Sequence, residues 1–323
     1  MKPEAPDTLA AVCPVCDQTG GRFLYRACDQ LHGLPGEFPV CRCPRCRVLY
    51  LCPAPSPEEL AGYYPGDYYS YTPEVEDPSW IGRTVRRMLR PLETPLPPQP
   101  GARALDLGCG AGNYLTALRR RGWETWGVEP AAPAVAAARR AGHHILETDL
   151  EHADLPAEHF QLVTMSHLIE HLYDPRAALA QVARATAPGG RVLIRTPAAD
   201  SLLSRLLGPD WAPLDAPRHL LIFTARALRN ICEQAGLPVV RLSRRQDPRD
   251  LLSSLARQAR SLREGVRPRQ VFLVRPRYIM LGFPLAWLVQ GLRLGDEITV
   301  ECRKPPAEGE SSTSGGAEAA PPE

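Results

Sequence analysis

Between residues 101 and 244 short apolar runs alternate with helical patterns, and no other feature of the chain restricts its fold as strongly. Ala102–Leu107, Thr125–Val128, His144–Leu146, Phe160–Met165, Arg191–Arg195 and Val239–Leu242 read as strands. Helical periodicity fills the gaps at Asn113–Arg121, in an alanine-rich stretch to about Ala141, and at Ala177–Thr186 and Ala225–Ala235. The last two of these end at Pro188-Gly189-Gly190 and Gly236, the residues that stop helices. Such a series predicts an α/β fold, a parallel sheet with helices on both faces.

The first strand runs into Leu105-Asp106-Leu107-Gly108-Cys109-Gly110-Ala111-Gly112-Asn113. Glycines at a strand–helix turn let the backbone turn tightly and approach a ligand with no Cβ in the way. A dinucleotide fingerprint would place its third glycine at 113, where this chain has Asn; the third glycine is Gly112. That spacing points away from NAD. Glu129 closes the second strand, where a carboxylate can accept hydrogen bonds from both hydroxyls of a ribose. Glycine loop and acid together suit an adenosine that carries no pyrophosphate.

These residues resemble motifs I and II of the class I S-adenosylmethionine-dependent methyltransferases, which have a Rossmann-like sheet. The resemblance makes Asp106, Gly108, Gly110, Gly112 and Glu129 the cofactor site and Asp149 its adenine-contacting acid. Phe160-Gln161-Leu162-Val163 is similar to the family's Phe-Asp-x-Val strand with Gln for Asp, and Ala187-Pro188-Gly189-Gly190 to its Lys-Pro-Gly-Gly with the Lys lost. His167-Leu-Ile-Glu170-His171-Leu-Tyr-Asp174-Pro175, with Pro217-Arg218-His219-Leu220, resembles a group related to ubiquinone-pathway O-methyltransferases.

The resemblance implies methyl transfer to an acceptor held in line with an activated methyl group. For a hydroxyl or acidic carbon a general base adds about 10²–10⁴-fold, and His167, His171 and His219 are the candidates. His167 and His171 are four apart and would share one face of a helix beside Glu170. In the ubiquinone-pathway relatives the equivalent segment holds a divalent ion, but His167 stands where they have a carboxylate, which argues against metal here.

Seven of ten cysteines fall within residues 1–52. Cys13-Pro-Val-Cys16 and Cys43-Pro-Arg-Cys46 form two knuckles whose four thiolates can close a tetrahedron around one structural zinc. The module is therefore expected to be zinc-ribbon-like, similar to that of sugar C-methyltransferases, and to unfold without metal while the α/β domain persists. Asp17 and Arg47 follow the knuckles where glycine is usual. Residues 53–100 read as a connector with a tyrosine patch (Tyr63, Tyr64, Tyr68, Tyr69, Tyr71) and a proline-rich run; 101–304 hold the catalytic domain, and 305–323 a disordered tail.

Net charge is +2, and the arginines of residues 1–52 are mixed with acids, which disfavours nucleic acid as a partner. The competing function, a zinc-ribbon nucleic-acid binder or an RNA- or DNA-modifying methyltransferase, would want an Asn/Asp-Pro-Pro-aromatic motif after the fourth strand; here Met165-Ser166-His167-Leu168 stands there. A small-molecule acceptor (a sugar, lipid-linked or aromatic hydroxyl, or a carbon) is the expected substrate. Basic charge gathers in an insertion at 245–295, beside the apolar stretch Tyr278–Val289. Two readings stand for it: a helical insertion before a final strand at Ile298–Cys302, its apolar face packed on the sheet, or an acceptor-side cover that meets anionic lipid, in a cytoplasmic protein peripheral to the membrane.

Overall fold

A computed structural model describes residues 8–9, 11–65, 79–80, 83–84, 101–264 and 276–307. Tyr68, Tyr69, Tyr71, the proline-rich run and the tail beyond 307 lie outside the described residues.

Seven strands make the larger sheet. In chain order they are β5 (Arg103–Leu107), β6 (Glu124–Val128), β7 (His144–Leu146), β8 (Phe160–Ser166), β9 (Thr186–Pro197), β11 (Val239–Arg245) and β12 (Glu297–Arg303). Their order across the sheet is β11-β12-β9-β8-β5-β6-β7. From β5 the chain moves outward through β6 and β7, then returns to the other side of β5 with β8. That reversal opens a crevice at the carboxyl ends of β5 and β8, where open α/β sheets bind ligands. The register places Leu105 beside Trp126 on one side and Val163 on the other, so the loops after all three strands meet at one edge.

The sheet is not wholly parallel, as the alternation alone would have it. β12 runs antiparallel to both β9 and β11 because the chain returns through the insertion and slots its last strand between them. Helices α2 (Asn113–Arg119), α3 (Ala132–Arg140), α4 (Pro175–Ala185) and α6 (Ala225–Gln234) connect the strands. Their starts are set locally: Asp174 accepts from the N–H groups of Arg176 and Ala177, and Thr224 from that of Ala227. Caps of this kind contribute about 1 kcal/mol each.

A smaller sheet of order β1-β2-β3-β4-β10 comprises β1 (Thr8–Leu9), β2 (Gly21–Ala27), β3 (Phe38–Arg42), β4 (Leu49–Leu51) and β10 (Leu221–Ile222). Its last strand comes from the far side of the sequence. Leu221 pairs with Tyr50 and Ile222 with Leu49, and the Leu51 N–H donates to the carbonyl of Leu220. One continuous core includes Val40, Leu49 and Leu51 of this sheet, Leu214 and Phe223 of the intervening segment, and Leu105, Val163 and Ile194 of the large sheet. The exposed Arg176–Asp17 ion pair (2.8 Å) also bridges the two parts. Pairs of that kind are worth about 0–1 kcal/mol, so strand pairing and the shared core do the docking. The insertion folds as two helices, α7 (Pro248–Glu264) and α8 (Pro276–Gly291), preceded in the chain by α5 (Leu202–Leu207); a short α1 (Pro57–Ala61) follows the small sheet.

Candidate active site

The glycine loop is held from below by β6. Gly108 and Cys109 donate their N–H groups to the carbonyl of Val128, and Gly110 donates its own to Glu129 Oε2 at 3.0 Å. The other carboxylate oxygen accepts from the Ala131 N–H at 3.0 Å. A carboxylate offers about four lone-pair sites, so two remain for a pair of hydroxyls. Glu129 is buried, and burial raises its pKa above the ordinary carboxylate value.

Gly108 and Gly112 both adopt positive φ (68° and 79°). A Cβ on Gly112 would stand 2.8 Å from His143 Cδ2 and 3.1 Å from Ala138 Cβ, so the loop closes on α3 only with glycine there. Asp106 ends β5 with Oδ1 accepting a 2.6 Å bond from the Thr164 hydroxyl, and burial pushes its carboxyl up to about 7. Asp149 lies farther out. Half exposed, it accepts from the His152 N–H at 2.9 Å and pairs with His152 Nδ1 at 2.7 Å. Among the described residues no hydrogen bond links Asp149 to the glycine loop.

The three histidines do not share a helix face. After β8 the chain makes one 3-10 turn, Ile169–His171, and His167 takes a left-handed conformation (φ 53°) that turns it away from His171. Its Nδ1 lies 3.2 Å from Glu170 Oε1 and its Nε2 3.3 Å from Glu297 Oε2. Burial opposes the charge, but the two carboxylates raise its pKa well above 6.5, and each ring nitrogen faces a carboxylate oxygen. Those surroundings favour a donor at both nitrogens over the general base expected from the sequence.

His171 and His219 are brought together instead, their rings edge to face with centroids 4.7 Å apart. His171 Nδ1 sits 2.9 Å from the carbonyl of Arg218 and 3.0 Å from the Tyr64 hydroxyl, and His219 Nδ1 2.8 Å from the carbonyl of Pro213. A carbonyl can only accept, so each Nδ1 carries a proton; in the neutral form of either ring the lone pair is on Nε2. Burial, helped by the neighbouring His219, lowers the His171 pKa to about 4. Glu170 is fully buried between the histidines: Oε2 accepts from the Thr196 hydroxyl at 3.0 Å, and Oε1 lies 3.9 Å from His219 Nε2. Burial would raise its pKa, yet the His167 hydrogen bond and the three histidines hold it down to about 2. Glu170, His171 and His219 each bring one ligand atom within 4.8 Å of the others, a set that could hold a divalent ion.

In the small-sheet module the thiols of Cys13, Cys16, Cys43 and Cys46 converge, with Sγ–Sγ distances of 3.6 Å (Cys13–Cys46) and 3.5 Å (Cys16–Cys43). Zn–S bonds of about 2.3 Å in a tetrahedron require S–S separations of about 3.8 Å, so the four fit one ion. Asp17 and Arg47 adopt the positive φ (57° and 66°) that glycine usually supplies, with their N–H groups donating to the carbonyls of Cys13 and Cys43. The knuckles therefore close in the usual shape despite the residue change.

Residues 80–242 match the family model described as a methyltransferase domain, which is half of the chain. The chain belongs to the class I S-adenosylmethionine-dependent methyltransferase family. It is 37% identical over 126 residues to a malonyl-acyl-carrier-protein O-methyltransferase of Serratia marcescens, covering 38% of this chain and 49% of that one. Against a ubiquinone biosynthesis O-methyltransferase of Aeromonas salmonicida it is 31% identical over 157 residues, covering 43% and 64%. It thus spans from about half to just under two thirds of the length of these curated relatives. A phosphoethanolamine N-methyltransferase 2 of Haemonchus contortus, solved in complex with S-adenosyl-L-methionine, is similar at 17% identity and a TM-score of 0.49, covering 80% of this chain and 62% of that structure.

Within this methyltransferase sheet, the Gln161 departure from motif falls away from the crevice. Gln161 stands at the amino end of β8, where its Oε1 accepts from the Arg103 N–H at 2.8 Å, opposite the edge that carries the glycine loop. Four residues of the histidine cluster were not singled out from sequence as site residues: Thr196, Glu297, Arg218 and Asp29. Arg218 had a signal, its place directly before His219. Glu297 and Asp29 come from segments remote in sequence and had none.

Proposed function

We propose that this chain transfers the methyl group of S-adenosylmethionine to a hydroxyl or acidic carbon of a small-molecule acceptor. The observation that carries the reading is Glu129, whose carboxylate braces the glycine loop and keeps two acceptor positions for a ribose. Asp106, Gly108, Gly110 and Gly112 complete the cofactor cradle, with Asp149 on the adenine side. S-adenosylmethionine supplies, when bound, a methyl group already activated by its sulfonium. The protein's part is to orient the acceptor, worth about 7–11 kcal/mol of barrier, and to take its proton.

His219 is the proposed base. Its Nδ1–H is tied to the Pro213 carbonyl, its Nε2 lone pair is free, and the ionised Glu170 lies where it stabilises the imidazolium that forms. His171, kept neutral, packs against it. His167 holds the charge of Glu170 and Glu297 in place. The names of the two curated relatives, both O-methyltransferases, favour the hydroxyl oxygen over the carbon as acceptor; nucleic acid is not proposed. The test is incubation with labelled S-adenosylmethionine and a fractionated small-molecule extract, with mass spectrometry of the labelled product. Label confined to nucleic acid would reject it.

A second reading is favoured by the two free Nε2 atoms beside Glu170: a divalent ion held by Glu170, His171 and His219. Histidine ligands commonly donate their other nitrogen to a carbonyl, as these do. Activity lost to a chelator and restored by one divalent metal would select it. We propose further that Cys13, Cys16, Cys43 and Cys46 hold a structural zinc, and that the 245–295 cover meets an anionic lipid surface.

A further inference from the structure

Arg218 is fully buried, and its guanidinium joins three parts of the chain. Nη2 donates to Asp29 Oδ1 and to Asp215 Oδ1, both at 2.7 Å; Nε donates to Asp215 Oδ2 at 3.0 Å; Nη1 donates to the Tyr63 carbonyl at 3.1 Å. Asp29, also buried, belongs to the loop between β2 and β3 of the small sheet. Its Oδ1 further accepts from the N–H groups of Leu31 and His32, and its Oδ2 from that of Leu34, so the carboxylate has little freedom. The backbone of Arg218 has the other task. Its carbonyl accepts the His171 Nδ1–H, and the next residue is His219.

Burying a cation with two carboxylates seldom stabilises a fold more than apolar packing of the same volume would, since desolvation offsets the attraction. What such a cluster supplies is geometry. A guanidinium is planar with donors in fixed directions, so four bonds from three nitrogens fix its plane and, through it, the backbone at 218. The segment is pinned on its C-terminal side as well: the Leu220 N–H donates to the Glu170 carbonyl, and the Leu220 carbonyl accepts from Leu51 of β4.

We propose that Asp29, a residue of the cysteine module, is a positioning residue for the proton-accepting histidines. It fixes Arg218, whose carbonyl selects the Nδ1–H tautomer of His171 and whose backbone places His219. The module thereby serves as the rigid arm that sets the base. This inference rests on the proposed reading in which His219 is that base.

The test uses the full-length protein labelled with 15N-histidine and needs no acceptor. In the wild type, His171 and His219 should each show one neutral tautomer protonated at Nδ1. In Asp29→Asn both signals should move toward a mixture with the Nε2–H tautomer, while Asp29→Glu, which keeps the carboxylate, should move them less. Affinity for S-adenosylmethionine should stay within about twofold, as expected for distant, independent sites. Histidine signals in a folded Asp29→Asn that superimpose on those of the wild type would overturn the proposal. If that variant fails to fold, Arg218→Lys serves instead: it keeps the charge but cannot reach Asp29, Asp215 and Tyr63 together, and unchanged histidine signals in it would also reject the idea. Full methyl transfer by His219→Gln would remove the base reading alone and leave the tautomer result standing.

Discussion

Glu129 Oε2 and the backbone N–H of Gly110 are 3.0 Å apart, so the acid that closes β6 and the loop that follows β5 form one unit. Glu129→Ala removes that brace and both acceptor positions for a ribose. Hydrogen bonds to a charged group contribute about 1.5–3 kcal/mol, so the dissociation constant for S-adenosylmethionine should rise by about 10–150-fold. Titration calorimetry measures it. Equal affinity in the variant would reject the assignment, and NAD binding of comparable strength would reject the cofactor.

The histidines divide into a base and a counter-charge. His219→Gln should lower turnover by about 10²–10⁴-fold with cofactor affinity nearly unchanged. His167→Gln should act on stability instead, because it leaves buried Glu170 and largely buried Glu297 without their cation. Thermal melts set beside methyl-transfer assays separate the two. A His167 variant that melts like the wild type yet has lost activity would reverse the assignment.

The Arg218 cluster predicts an acid-sensitive fold. Burial would raise the Asp215 pKa, but the Arg218 hydrogen bonds win and hold it at about 2, below the ordinary 3.8. A carboxylate with a depressed folded-state value contributes stability that is full above its unfolded pKa and is lost as pH falls toward the folded one. Urea midpoints should therefore drop between about pH 4 and pH 2, and Asp215→Asn should flatten that drop. Arg218→Ala leaves two buried carboxylates unpaired and should cost about 3–5 kcal/mol near neutral pH. A midpoint in Arg218→Ala equal to that of the wild type would show the cluster to be energetically idle.

Much of this was legible in the sequence wherever a rule acts over a few residues. The strand–glycine–helix run foretold the tight turn at 108–112, and two knuckles with two-residue spacers named the four thiols that converge. The site itself was less legible, because its geometry is made by long-range pairings. Nothing within residues 165–175 says that His167 takes a left-handed turn and meets Glu297, a residue 130 positions away. Likewise, two-residue β10 carries no strand signal of its own; it is a strand because β4 is beside it. The antiparallel β12 follows from where the insertion returns the chain, which periodicity does not encode.

Metal analysis should find near one zinc per chain, lost in Cys43→Ser. The sequence suggested that the α/β domain would persist unchanged without the metal, but the shared sheet changes that expectation. Thr224 donates its hydroxyl to the Cys46 carbonyl, and β4 pairs with β10 just beyond His219. Zinc removal should therefore disturb the His219 segment while the cofactor cradle, built from β5 and β6, stays intact. Hydrogen exchange decides it: 215–224 should lose protection and 103–129 keep it. Undiminished zinc in Cys43→Ser would point to a different ligand set.

The last prediction concerns α8, whose outward face is apolar. Ile279, Phe283, Ala286 and Val289 are buried, yet Leu285, Trp287, Leu288 and Leu292 are 44%, 56%, 60% and 60% exposed. A helix facing only water would carry charge on that side. Between Arg241 and Arg293 the sequence has twelve arginines against Asp247, Asp250 and Glu264, so the stretch of chain that contains α8 is net positive. At 16 residues α8 is about 24 Å long, short of the roughly 30 Å hydrocarbon layer. No helix among the described residues is long and apolar enough to cross a membrane. Lying in the interface is the alternative geometry, with each nearby arginine gaining about 1 kcal/mol at an anionic surface. The full chain should sediment with phosphatidylserine-containing vesicles, less so as salt rises, and Leu285→Ser/Leu288→Ser should abolish it. Should the protein stay in the supernatant at low salt, the face is covered by something other than lipid.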